Sequence, residues 1–502
     1  MNEANWLGSA PEYRVADAVS TYEADVVVVG AGIAGISIAR SAAESGLSVL
    51  VLEQTGKIQI RGLCFGAVDA GIQKKAGVVI DRAGLLADWM QYSGNRANAL
   101  LVRRFITDSG RAYDWFEEAL DGEDFGQHIS HWPNPPYFDN QTEYYRQYQT
   151  SIEFVDWIGA CKKHYERSVS AGAKYLFHAE GKALHTQDGR VAGVFLSQPE
   201  QELCYAAARK AVVMATGDYG ANEAMVKALC PEFYRALGNR VSGIKTSTGE
   251  GHKMAIWAGG VMEPSPHAHM DHAFAGGFFG LGNTAALQLN QRGIRYMNED
   301  VPGQSFTNQV IRQPGGISWQ IWEEATMRDM LAHQSIGHGN KEYCLLDDEA
   351  MDKMIADLRK ELDPATATGR VFAAWTLPEL LDKIGLPKER ALAEIARYNE
   401  LVHKGLDEDF GKRSDRLYPI EQAPFYAARA FVAPGVVTAG VMVDENMQVI
   451  REDGSPIEGL FAIGNVAGGR YAVDYPTNAP ATSHGTAVTF GLWLGEYLAG
   501  KA

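Results

Sequence analysis

The stretch DVVVVGAGIAGISIARSAAESGLSVLVLEQ, Asp25 to Gln54, changes character three times. Val26 to Val29 form a β-branched run, glycines follow at Gly30, Gly32 and Gly35, and helix-forming residues lead to a second apolar run, Leu47 to Leu52, closed by Glu53. Strand, glycine-rich turn, helix and strand in that order predict a parallel βαβ unit built to hold a dinucleotide. Gly30 permits the tight turn, Gly32 lets backbone approach a pyrophosphate, and Gly35 lets the helix pack closely on the strand. The helix start at Ile33 and Ala34 presents free N–H groups and a partial positive charge to phosphates. Glu53, followed by Gln54, stands where an acid accepts hydrogen bonds from ribose hydroxyls and disfavours a 2′-phosphate, which leaves FAD or NAD.

Two later segments favour FAD. KAVVMATGDYGAN is a short buried strand ending in Ala215, Thr216 and Gly217, and IEGLFAIGNVAGG is another, ending in Gly464 and Asn465. A simple NAD dehydrogenase has no need of two such strand ends so far along the chain, whereas an extended FAD meets several. As structure alone, they read as core strands closed by glycine turns.

Composition bounds the rest. At 502 residues the chain exceeds what one hydrophobic core usually supports, so a large domain and at least one more are expected. Its 46 basic and 62 acidic residues give a net charge of −16, with no long Lys/Arg run to suit nucleic acid or an anionic membrane. The five cysteines, Cys64, Cys161, Cys204, Cys230 and Cys344, form no CxxC pair, which argues against a disulfide framework, a zinc ribbon or an iron–sulfur cluster. The N-terminus lacks the basic and apolar regions of a signal peptide, and the longest apolar run is the glycine-broken one already described. A cytoplasmic protein without a membrane span is expected.

GAGIAG, ATG, STGEGHKMAIWAGG, LNQRGIRYMNED, APFYA, TAGVMVDENMQVI and GSPIEGLFAIGNVAGG occur in an order that resembles the FAD-dependent fumarate reductase and succinate dehydrogenase flavoprotein superfamily, including its soluble 3-ketosteroid dehydrogenase branch. The resemblance implies an α/β fold: a Rossmann-like FAD-binding domain, residues 1–270 and 434–502, interrupted by an α+β capping domain, residues 271–433. It also implies cofactor contacts at Arg61, Gly62, Gly66, Ala183, Asn222, Ser483 and His484, beside the glycines and strand ends above. The family's covalent flavin histidine would fall in RGLCFGA, Arg61 to Ala67, which contains no histidine, so non-covalent FAD is expected and Cys64 reads as a small thiol. Within the cap, LPKERALAEIARYNELVHKGLDEDF places Ala391, Ile395 and Leu401 at helical spacing and ends at Gly405.

Chemistry of this kind passes a hydride to one carbon and a proton to its neighbour, so the chain must supply an acid or base. The resemblance implies an arginine or tyrosine proton carrier after RYMNED, where Gly303 stands instead. A substrate-binding histidine is replaced by Val437, and a carboxylate-binding arginine has no counterpart around Pro476 to Asn478. Without these cations a C4 dicarboxylate is disfavoured as substrate. Attention then falls on GGRYAVDYPTNAPATSHG, Gly468 to Gly485. Tyr475–Pro476 lies where the ketosteroid branch has a proton-carrying tyrosine, with Tyr471 as a second candidate, Asp474 to orient the network and Arg470 to lower the phenol's pKa. The bland reading is that both tyrosines only pack. PSPHAHMDHAF offers His267 and His269 as substrate contacts or proton relays, alongside Asp271 and His272; HxHxxH out of context also suits a metal. Thr482 or Ser483 is the expected N-cap of a final helix.

The combined expectation is an FAD-dependent reductase of an α,β-unsaturated carbonyl compound. A ketosteroid-type dehydrogenase running in reverse is the close alternative, and a flavin electron-transfer subunit the alternative of another class. No haem or cluster motif and no second nicotinamide module is visible, so electrons are expected from a donor protein or reduced nicotinamide.

Overall fold

The computed structural model describes residues 6–129, 146–237, 240–241, 244–275, 284–332 and 347–501. Cys344 and the side chain of His272 lie outside them.

The valine run becomes the centre of an eight-stranded sheet. Strand Ser20–Val29 pairs in parallel with Val49–Glu53 on one side and with Gln201–Met214 on the other. Lys174–Phe177 and Pro456–Ala462 extend the parallel region outward. Val26, Val27 and Val28 are fully buried, because helix Ile33–Glu44 and the C-terminal helix Thr482–Leu498 shield the strands from water. Gly491 and Gly495 let these two helices approach, since a Cβ at Gly491 would lie 2.6 Å from Ser37 Cβ. Strand order reverses at Ser20–Val29, and Gly30, Glu53, Ala215 and Gly464 all lie at the carboxyl ends of parallel strands, where open α/β sheets hold ligands.

A second, five-stranded antiparallel sheet is built from His269–Ala275, Leu287–Asn290, Ser318–Glu323, Val371–Ala374 and Phe425–Val437. Two apolar clusters lie against it, one around Trp322, Met330 and Leu358, the other around Leu380, Ile395 and Tyr398. Helix Lys388–Lys404 buries Ala391, Ile395 and Leu401 and stops at Gly405, whose φ of 67° gives the left-handed C-cap. A buried charge group ties the strand-to-helix connections: Arg295 pairs with Glu299 at 2.9 Å and Asp407 at 2.7 Å, and Lys412 joins Glu299 at 3.3 Å.

The chain enters the second sheet on His269–Ala275 and leaves on Phe425–Val437, and these strands are antiparallel neighbours, with His269 opposite Val437 and Met270 opposite Val436. No described helix is long and apolar enough to cross a membrane.

Candidate functional site

A cavity of about 500 Å³ runs from the carboxyl ends of the parallel strands to the start of the C-terminal helix. Its nucleotide end is made of backbone. Gly30, at φ +107°, touches the next strand so closely that a Cβ would stand 2.5 Å from Ala215 O, and a Cβ at Gly35 would collide with Gly30 O. Gly32 is the N-cap of helix Ile33–Glu44 and supplies no side chain, so the helix start at Ile33 and Ala34 faces the cavity with its N–H groups. Glu53 is buried; its Oε2 accepts from Ala31 N–H at 2.9 Å and its Oε1 from Thr55 N–H at 2.9 Å, which fixes the carboxylate at the cavity wall. Gln54 lies beside it on the wall.

Arg61 lines the cavity as well, held by Asp218 Oδ2 at 2.9 Å and Ser247 Oγ at 2.6 Å. Ala215, Thr216 and Gly217 line the wall next to Gly30. The Thr216 hydroxyl is buried with no hydrogen-bond partner among the described residues, the kind of orphan that a bound polar group satisfies. Gly464, at φ +70°, and Asn465 complete this wall. A bare backbone cradle, a carboxylate fixed at a strand end and an orphan hydroxyl together fit an extended dinucleotide.

Several expected contacts sit elsewhere. Ala183 packs with Phe195 and Tyr205 and does not line the cavity. Asn222 is spent as the N-cap of helix Glu223–Leu229, accepting from Met225 N–H at 3.1 Å and donating to Thr248 O at 2.8 Å. Gly35 and Gly66 act behind the wall as close-approach points; a Cβ at Gly66 would lie 2.6 Å from Ala481 O. Gly62 is on the wall, pressed against the His484 ring.

At the other end the wall is made of side chains: Tyr475, Ser483, His484, Met270 and Val436. The Tyr475 oxygen accepts from Thr482 Oγ1 at 3.0 Å and from Ser483 N–H at 3.1 Å. Burial pushes its pKa up, and these two donors oppose that shift, so the phenol is protonated at neutral pH. Thr482–Leu498 has no side-chain cap: its N-cap is Ala481, at φ 65°, and not Thr482 or Ser483, because the Thr482 hydroxyl is committed to Tyr475. Ser483 Oγ donates to Asn465 Oδ1 at 3.2 Å. His484 contacts Cys64 O through Nδ1 at 3.0 Å and packs on Trp157; burial lowers its pKa, leaving a neutral ring.

The remaining candidates are not on the wall. Arg470 is buried behind it, donating to Thr486 Oγ1 at 2.8 Å, Gly464 O at 2.9 Å and Ala467 O at 3.1 Å, so it clamps the loop and does not act on Tyr475. Tyr471 stacks on Trp89 at 5.6 Å between centroids and fills core beneath Tyr475. His267 has both ring nitrogens occupied, by Tyr219 OH at 2.6 Å and Glu263 O at 2.8 Å; burial drives its pKa down to about 4. His269 pairs with Asp271, whose carboxylate outweighs burial and raises the imidazole pKa. Asp474 is pushed up to about 6 by burial and accepts from Asn308 Nδ2 at 3.0 Å. No group of His, Cys, Asp and Glu suited to a metal occurs among the described residues. Gly303 opens helix Gly303–Ile311 away from the wall.

Sequence reasoning named neither Met270 and Val436 nor Gly249, Glu250 and Met254, all on the wall. Gly249, at φ 78° before helix Glu250–Trp257, carried a readable signal in STGEG; single apolar residues inside strands carry none.

Comparison with known proteins is consistent with this geometry. A family model described as the FAD binding domain matches residues 25–479. A vinyl phenol reductase from Lactiplantibacillus plantarum is 27% identical over 95% of this chain and 96% of its own length. An NADH:fumarate oxidoreductase from Klebsiella pneumoniae is 25% identical over 89% of this chain, which spans 44% of that longer protein. Among solved structures, a 3-ketosteroid-delta4-(5alpha)-dehydrogenase from Rhodococcus jostii superimposes with a TM-score of 0.74 at 24% identity, covering 98% of this chain and 99% of that one, a likeness of fold.

Proposed function

The chain belongs to the FAD binding domain family, and on that premise we propose that it is an FAD-dependent oxidoreductase that reduces a carbon–carbon double bond conjugated to a carbonyl or similar electron-withdrawing group. The observation that carries the reading is the Tyr475 phenol, protonated, on the cavity wall, with its oxygen held by two donors at a helix N-terminus. Non-covalent FAD would lie on Gly30 to Ala34, with Glu53 at its ribose and Thr216, Gly464 and Asn465 along its length. Bound FAD supplies the hydride. Tyr475 supplies the proton to the neighbouring carbon, or polarises the substrate oxygen by hydrogen bonding, and a positioned acid of this kind is worth roughly 10²- to 10⁴-fold. The region 271–433 covers the site as a cap.

Substrate polarity follows from the wall. Among the described lining residues the only Lys or Arg is Arg61, already bound to Asp218 and Ser247, while Met270 and Val436 are apolar. A dicarboxylate would find no cation there among the described residues beyond the already bonded Arg61, so a larger, neutral or singly charged substrate is preferred. The vinyl phenol reductase relative supports this class. Electrons arrive from a donor protein or a reduced nicotinamide.

Anaerobic mixing of dithionite-reduced protein with enones, enoates and vinyl phenols tests the proposal. Rapid flavin reoxidation by a member of the panel is the expected result. Reoxidation by none of them would sink it in favour of an electron-transfer subunit.

A further inference from the structure

A tyrosine oxygen carries one proton and two acceptor positions. In Tyr475 both acceptor positions are used, one by the Thr482 hydroxyl at 3.0 Å and one by Ser483 N–H at 3.1 Å. The remaining direction belongs to the phenolic proton, and the residue lines the cavity. Thr482 is fully buried and is the first residue of its helix, yet its hydroxyl caps nothing. The N-cap position is held by Ala481 in the left-handed region, a conformation that costs energy for a residue with a Cβ.

We propose that Thr482 is a positioning residue for proton delivery: its hydroxyl aims the Tyr475 O–H into the cavity and stabilises the phenolate left behind. The inference rests on Tyr475 being the acid. In the step, the Tyr475 O–H bond breaks as a C–H bond forms at the substrate carbon, the electron pair stays on the phenolate oxygen, and water later restores the proton. At that moment the Thr482 and Ser483 bonds become charge-assisted, and the helix N-terminus adds its partial positive charge.

Among the described residues no cation beside Tyr475 does this in their place. Arg470 is turned to Thr486 and to backbone carbonyls. The titratable side chains that act on the phenol, Tyr471 and Cys64, both disfavour its ionisation, and the Asp474 carboxylate accepts from Tyr475 backbone N–H at 3.0 Å. Ser483 contributes through its backbone, so Thr482 is the side chain through which the contribution can be removed.

The test compares Thr482→Val, which keeps shape and loses the hydroxyl, with Thr482→Ser, which keeps the hydroxyl. With FAD bound and an accepted enone, Thr482→Val is expected to slow single-turnover reoxidation by about 10- to 100-fold, the range for a hydrogen bond to a charged group, without weakening substrate binding. Thr482→Ser should retain the wild-type rate. Independently of turnover, protein labelled with ¹³C at tyrosine Cζ should show the Tyr475 signal at neutral pH, assigned by its loss in Tyr475→Phe, displaced in Thr482→Val, where the phenol oxygen has lost one donor, and unmoved in Thr482→Ser. A wild-type rate and an unmoved Tyr475 signal in Thr482→Val would overturn the inference. If Tyr475→Phe itself reoxidises at the wild-type rate, the acid assignment fails instead; if it is slow, adding Thr482→Val to it should change nothing further. Should the valine variant not take up FAD, Thr482→Ala carries the same comparison.

Discussion

The two ends of the cavity are made of different materials. At the nucleotide end, Gly30, Gly32, Gly217 and Gly464 bring backbone to the wall, and the carboxylate of Glu53 sits at a strand terminus. At the other end, Tyr475, His484, Met270 and Val436 project side chains from a loop, a helix start and the two strands that connect the sheets. The contrast teaches that a site for a common group can be built from main chain, whereas a site for one chemistry needs particular side chains. At Gly30 and Gly464 the first leaves no room for an added Cβ, whereas the second depends on which functional groups it carries.

Changes at the nucleotide end should have the largest effect. Gly35→Val would drive a side chain into Gly30 O, and the expected outcome is protein that neither yellows on expression nor takes up added FAD in a fluorescence-quenching titration. Tyr475→Phe comes next: flavin content unchanged, but reoxidation by enone slowed roughly 10²- to 10⁴-fold. An unslowed variant would mean that the side-chain end is not where the proton comes from.

Arg470→Met tests whether the half of the loop behind the wall is purely a clamp. Removing a buried guanidinium that leaves a hydroxyl and two carbonyls without their donor should cost about 1 to 3 kcal/mol in denaturant unfolding, while turnover per folded molecule is retained. A large loss of turnover without loss of stability would move Arg470 into the chemistry.

The smallest effect is expected at Asp474. Its pKa is raised to about 6 by burial, so the folded protein holds a proton that the unfolded chain releases near pH 4. The stability from that proton is complete below the unfolded value and is lost as pH rises through about 6. Asp474→Asn should therefore shift Tm relative to wild type in the variant's favour between pH 4 and pH 7 in calorimetry. A pH-independent difference would refute the burial argument.

The same contrast explains what could be read from the chain. Main-chain devices leave signatures, because only glycine fits the close approach at Gly30 and Gly35, and the left-handed cap at Gly405 ends a helix whose apolar spacing is visible. Side-chain placement leaves none. Nothing in GGRYAVDYPTNAPATSHG says that Arg470 and Tyr471 turn inward while Tyr475 turns to the cavity, since the divergence is set by Trp89, Thr486 and Gly464, remote or irregular in sequence. Thr482 looked like a cap because threonine usually is one. Its hydroxyl was recruited seven positions back, to Tyr475, and local propensity lost to that contact. Glu263, a buried carboxylate pushed up to about 7 that accepts from Gly440 N–H at 2.8 Å and Gly469 N–H at 3.1 Å, was equally silent, although it holds the loop's start.

His269–Ala275 and Phe425–Val437 leave and re-enter the first sheet's half of the molecule as hydrogen-bonded neighbours. A long excursion that begins and ends at one place adds little closure penalty, since loop entropy grows only logarithmically, by about 0.6 kcal/mol per doubling of length. The strand Pro456–Ala462 can therefore find Gln201–Met214 whatever lies between. The excursion can thereby be exchanged, lengthened or pruned at little entropic cost while the nucleotide cradle folds as before.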